Sequence, residues 1–139
     1  MVGRILAIDY GRARIGLALS DPLGITAQPL KVIDVKKTAD AVAHIASLAG
    51  EHDVFRIVIG LPLNMDGTEG AMVDEMRAFG EKIEVSTGLP LVEWDERLTS
   101  SQALSALGKQ EKDWKKRKRK LDAVAAQILL QSYLDANMV

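Results

Sequence analysis

The chain contains no cysteine. That excludes a disulfide framework, a thiolate nucleophile, and any zinc or iron–sulfur site held by sulfur. Histidine is nearly as scarce: His44 and His52 are the only two, too few for a histidine-rich metal centre. No apolar run comes near the roughly 18 residues of a membrane-spanning helix. At the N-terminus Arg4 and Asp9 flank a short apolar stretch, without the hydrophobic region or cleavage site of a secretory leader. An excess of one charge is also lacking, since 18 Lys and Arg stand against 19 Asp and Glu. With 47% hydrophobic residues at this near-neutrality, wholesale disorder is excluded. A soluble, cytoplasmic protein with no membrane contact is expected.

What is present fits one domain spanning 1–139, for a chain of 139 residues. A chain of this size buries about two-thirds of its unfolded surface and needs no covalent staple. The near-neutral total conceals an asymmetry. Lys115, Lys116, Arg117, Lys118, Arg119 and Lys120 form an unbroken run of six positive charges. With those six set aside, the formal charge of −1 for the whole becomes −7 for the rest. An acidic body with one basic segment points to a localised contact with a polyanion; a solvated loop or a frayed helix start has the same composition.

Hydrophobic patterning organises the chain. Arg4 to Tyr10 reads as a buried strand, Gly11-Arg12-Ala13 as a turn, and Arg14 to Leu19 as a second strand of a hairpin. A third strand is expected over Leu30 to Asp34, after Pro29. Val42, Ile45, Leu48 and Ala49 then have helical spacing, with Thr38 able to cap the start. Val54 to Leu61 is β-branched and apolar, the mark of a central strand. Met72, Val73, Met76, Phe79 and Ile83 share one face of a second helix, and Leu91 to Asp95 forms another strand. Thr99 with Gln102 fits a capping box for a helix running to about Leu107. A last helix is expected over about Leu121 to Leu134. The order predicts an α/β protein, a mixed sheet with helices packed on it.

Three places could carry chemistry. Asp9 ends an otherwise apolar strand, where a carboxylate is partly desolvated and needs a partner charge or a cation; Asp also commonly opens a turn. Glu93, Asp95 and Glu96 gather at the end of the Leu91–Asp95 strand beside Arg97. Strand alternation puts Asp95 and Glu96 on opposite faces, so only one of the two can aim at a given point unless the strand ends between them. Asp122 opens a helix of small and apolar residues, either leaning toward its packed face or answering the helix dipole. If that helix packs on the sheet, Asp9, one of Asp95 and Glu96, and Asp122 can converge. Three such acids cannot all stay ionised without a cation. All-oxygen donors favour Mg²⁺ or Mn²⁺. Two such ions about 3.5–4 Å apart can activate a water and stabilise the leaving oxygen of a phosphodiester. The basic run just before Asp122 could hold the substrate backbone.

Asp9-Tyr10-Gly11 with Ile15-Gly16, then Gly60-Leu61-Pro62-Leu63-Asn64-Met65-Asp66-Gly67-Thr68, Asp95-Glu96-Arg97-Leu98-Thr99 and Asp122-Ala123-Val124-Ala125-Ala126 follow one another across nearly the whole chain. In order and spacing this resembles the YqgF (RuvX) family. The resemblance implies an RNase H-like (ribonuclease H-like) fold with a five-stranded mixed sheet and helices on both faces, akin to the Holliday-junction resolvase RuvC. It implies a nuclease maturing the 5′ end of pre-16S rRNA, with Mg²⁺ or Mn²⁺ held by Asp9, Glu96 (Asp95 as the alternative) and Asp122. One departure stands out. RNase H and RuvC enzymes carry an acid at the end of the central fourth strand, which here reads Ile57-Val58-Ile59-Gly60-Leu61-Pro62. The acid of the Asp95-Glu96-Arg97 segment would then substitute from the neighbouring strand. Ala125 also stands where RuvC has a second acid in its last helix.

The leading expectation is a metal-dependent endonuclease acting on RNA, with pre-16S rRNA as substrate and the ribosomal subunit as a possible partner. A resolvase of branched DNA is the alternative, and it needs a homodimer, because symmetric cutting takes two sites. A non-catalytic RNA-binding module is the alternative from another class; it predicts that Asp9 is dispensable.

Overall fold

The computed structural model describes residues 3–98 and 114–137, with side chains for 3–97 and 121–137. Five strands form one sheet: β1 (Arg4–Asp9), β2 (Arg14–Ser20), β3 (Ala27–Asp34), β4 (Val54–Leu61) and β5 (Leu91–Asp95). Three α-helices are present among the described residues: α1 (Ala41–Glu51), α2 (Ala71–Thr87) and α3 (Trp114–Ala136). The helix expected over 99–107 lies outside the described residues. No helix among the described residues is long and apolar enough to cross a membrane.

The sheet order is β3-β2-β1-β4-β5. β1, β2 and β3 are antiparallel neighbours, while β4 runs parallel to β1 and β5 parallel to β4. Three carboxy-terminal strand ends, those of β1, β4 and β5, therefore meet at one edge. Alternation along each strand sorts the core into two layers. Leu6, Ile8, Ile15, Leu17, Ile57 and Ile59 face Ile45 of α1 and Met76 and Ile83 of α2. Ile5, Ala7, Ala18, Ala27 and Val58 face Ala126, Leu129, Leu130 and Tyr133 of α3. The α3 side is built from small residues, so this helix lies close against β1, β2 and β3. Tyr133 stacks edge-on against Trp94, ring centroids 5.3 Å apart, and its hydroxyl accepts a hydrogen bond from Arg56 at 3.1 Å.

Three boundaries differ from the sequence expectation. β3 begins at Ala27, ahead of Pro29. It is an edge strand, where a residue without an N–H donor is tolerated. Helix α1 is capped by Asp40, whose carboxylate accepts from the Ala43 N–H at 3.0 Å, and not by Thr38. Helix α3 starts at Trp114, so the basic run is part of its backbone helix. Lys and Arg are good helix formers.

Candidate functional site

Asp9 stands at the end of β1 between two glycines on the neighbouring strands. On one side Asp9 pairs with Gly16 of β2. On the other, the parallel register aligns Ile8 with Ile59, which brings Gly60 of β4 alongside Asp9. Neither glycine has a positive φ, so backbone conformation does not require them. Space does. A methyl on Gly16 would overlap the Asp122 carbonyl oxygen and lie 3.2 Å from its carbonyl carbon. A methyl on Gly60 would overlap Glu96 Oε1 and lie 2.8 Å from its Cγ. Each missing side chain admits an element that carries a carboxylate: α3 with Asp122, and the end of β5 with Glu96.

The result is a cluster of acids around Asp9. Glu96 is the neighbour that acts most strongly on Asp9, through its charge and through side-chain hydrogen bonding. Burial, foremost, holds the Asp9 carboxyl well above its ordinary value of 3.8, aided by the charge and hydrogen bond of Glu96 and the charge of Asp122. The Asp122 carboxylate meets Arg14, whose Nε donates to its Oδ2 at 2.5 Å. As the side chains stand, no three His, Cys, Asp or Glu among the described residues are arranged to hold a metal ion.

Asp95 and Glu96 part company. Strand β5 ends at Asp95, and a 3-10 turn over Glu96–Leu98 follows. Glu96 goes to Asp9, while Asp95 accepts from Arg97 at 2.8 Å, 2.9 Å and 3.1 Å. The Arg97 side chain foremost keeps the Asp95 carboxyl below its usual range. Arg97 also donates to the Met65 carbonyl at 3.2 Å, tying the loop after β4 to this edge. That loop is a closed turn. Asp66 accepts from the Thr68 N–H at 3.0 Å, and Gly67 N–H bonds the Asn64 carbonyl at 2.9 Å. Thr68 belongs to this turn; α2 starts after Gly70 with no side-chain cap.

Sequence reading had no reason to single out Arg14, a charged residue heading an apolar strand. Gly16 and Gly60 did carry a signal, because glycine is depleted in strand interiors and marks close approach. Lys115, Lys116, Arg117, Lys118, Arg119 and Lys120 lie on the first turns of α3, on its N-terminal side from Asp122; their side chains are outside the described set. His44 meets Lys31, Nζ to Nε2 2.8 Å.

This sheet order, with helices on both faces and acids gathered where parallel strands end, defines a ribonuclease H-like α/β protein. In open α/β sheets that edge is where ligands bind. The likeness to solved structures is to resolvases of this fold: Thermus thermophilus RuvC superposes with a TM-score of 0.61 at 14% identity, covering 97% of this chain and 96% of that one. The chain belongs to the RuvX family, described as Holliday junction resolvase, which it matches over residues 3–136. A relative from Syntrophus aciditrophicus is 45% identical over 133 residues, 96% of this chain and 89% of its own length. Another, from Koribacter versatilis, is 41% identical over 133 residues, 96% of this chain and 87% of its own. Both carry the name "Putative pre-16S rRNA nuclease".

Proposed function

We propose that residues 1–139 work as a single cytoplasmic domain, a metal-dependent endonuclease that hydrolyses phosphodiester bonds in RNA and matures the 5′ end of pre-16S rRNA. The observation that carries this reading is geometric: Gly60 stands alongside Asp9 at the end of β1 with the Glu96 carboxyl lying against it, and Asp122 is carried close against Gly16 on the other side of Asp9. Acids brought this close together cannot all stay ionised without a cation. The oxygen-only chemistry fits Mg²⁺ or Mn²⁺. Asp9 and Glu96 would hold the ion, with Asp122 as the third ligand on giving up Arg14. When bound, such ions supply a Lewis acid for the scissile phosphate and a water activated at neutral pH.

The chain's own residues do the remaining work. Gly16 and Gly60 keep the acids within reach of one another. Arg14, released from Asp122, becomes a cation available to a phosphate oxygen at the same edge. Arg97 engages Asp95, which leaves Glu96 rather than Asp95 as the acid of this segment. The six basic residues on the first turns of α3 would supply positive charge to the backbone of the substrate strand.

The test is cleavage of a 5′-extended pre-16S rRNA fragment by the purified protein with Mn²⁺ or Mg²⁺, beside Asp9→Asn. Discrete cleavage by the wild type alone is expected. Equal cleavage by both would remove Asp9 from the chemistry. Binding without cleavage by either would favour a non-catalytic RNA-binding module. A second reading, resolution of branched DNA, draws on the family description and the RuvC-like fold. A four-way DNA junction in the same assay, with the mass in solution, decides between them, since a resolvase cuts symmetrically as a dimer.

A further inference from the structure

We infer that Gly60 is a positioning residue: its missing side chain is the slot through which the Glu96 carboxyl crosses β4 to reach Asp9. This role rests on the proposed function, in which Asp9 and Glu96 are a working pair.

The need for a slot follows from topology. Asp9 ends β1, Glu96 follows β5, and β4 lies between those strands. Two strand spacings separate β1 from β5, about 9.5 Å. A glutamate can span that gap only by lying across the intervening strand. The β4 residue at the crossing is Gly60, which pairs with Trp94 while Leu61 pairs with Asp95. Gly60 follows Ile57, Val58 and Ile59, all fully buried. A glycine there costs conformational entropy and gives up packing, and its φ is not positive. The three atoms nearest to a methyl placed on Gly60 would all be from Glu96: Oε1, Cγ at 2.8 Å and Cδ at 3.0 Å. Any side chain at 60 claims the space that Glu96 occupies. The Glu96 side chain is flexible and would swing aside, leaving the sheet intact and Asp9 without its partner.

The experiment is a cycle of Gly60→Ala, Glu96→Ala and the double variant. Each is read by thermal melting, by Mn²⁺ titration calorimetry without nucleic acid, and by a crystal structure of Gly60→Ala. The expected result is a folded Gly60→Ala protein in which the Glu96 carboxyl no longer hydrogen-bonds Asp9. Its Mn²⁺ affinity should fall at least tenfold, to that of Glu96→Ala. In the Glu96→Ala background the same methyl should change affinity less than twofold, because the slot is then vacant. Retention of the Asp9–Glu96 hydrogen bond in Gly60→Ala would overturn the inference, as would additive effects in the cycle. If Gly60→Ala does not fold, a folded double variant upholds the slot and an unfolded one rejects it. If the wild type binds no Mn²⁺, the proposed function fails, and the crystal structure and melting cycle still decide the slot.

Discussion

Asp9 should make the metal-free protein less stable than it could be, and Asp9→Asn should show it. The folded chain holds a proton on Asp9 more tightly than the unfolded chain, whose carboxyl titrates near 3.8. Between those two values the folded state binds more protons than the unfolded one. Stability therefore falls as pH rises from about 3.8 through the raised value, and stays lowered above it. Every tenfold change in proton affinity is worth about 1.4 kcal/mol. A buried polar group lacking its full complement of partners costs about 1–3 kcal/mol. The asparagine amide carries no charge and can donate to Glu96, so that cost is relieved. In EDTA at pH 7.5, Asp9→Asn should be more stable than wild type by about 1–3 kcal/mol. For a chain of this length that is about 3–10 °C in Tm. At about pH 2.5, more than a unit below 3.8, the difference should vanish, since Asp9 is then protonated in both states. Mn²⁺ at a thousandfold excess over Kd should reverse the ranking, because only the wild type gains about 4.1 kcal/mol. Calorimetric melts across this pH range are the assay. An Asp9→Asn protein no more stable than wild type at pH 7.5, or a gain independent of pH, would refute the reasoning.

Three further outcomes are expected. Gly16→Ala should destabilise by about 1–3 kcal/mol in urea, because the methyl meets the Asp122 backbone carbonyl, which cannot rotate aside; an unchanged midpoint would mean α3 does not sit this close to β2. Asp122→Asn should abolish metal-dependent cleavage while keeping the wild-type circular dichroism spectrum, and wild-type turnover would reject Asp122 as a ligand. Replacing Lys115, Lys116, Arg117, Lys118, Arg119 and Lys120 with glutamine should weaken RNA binding and flatten its log–log salt dependence by about 0.7 per lost phosphate contact; an unaltered slope would take this segment out of the interface.

Much of the fold was legible because apolar period and burial coincide. The unbroken apolar runs of β1, β2 and β4 read as interior strands and are buried on both faces. The face of α2 drawn through Val73, Met76 and Ile83 is the buried one. Legibility failed where neighbours decide. Pro29 looked like a strand boundary, yet it lies inside β3, whose position at the sheet edge no local pattern announces. The basic run looked like an interruption, yet the backbone carries helix α3 through it to Trp114.

The same division runs through the acids. Sequence alone determined that Asp9 ends an apolar strand, that Asp95 and Glu96 follow another, and that Asp122 rides on a helix of small residues. It determined the family as well, since the spaced motifs are a one-dimensional record. It left open which of Asp95 and Glu96 faces Asp9, because alternation fixes only that they point apart. The tertiary structure decided that. Strand β5 ends between them, Arg97 engages Asp95, and Gly60 clears a path for Glu96 across β4. A side chain's partner is set by which strands lie beside its own and by what those strands omit, and neither is a property of the local sequence.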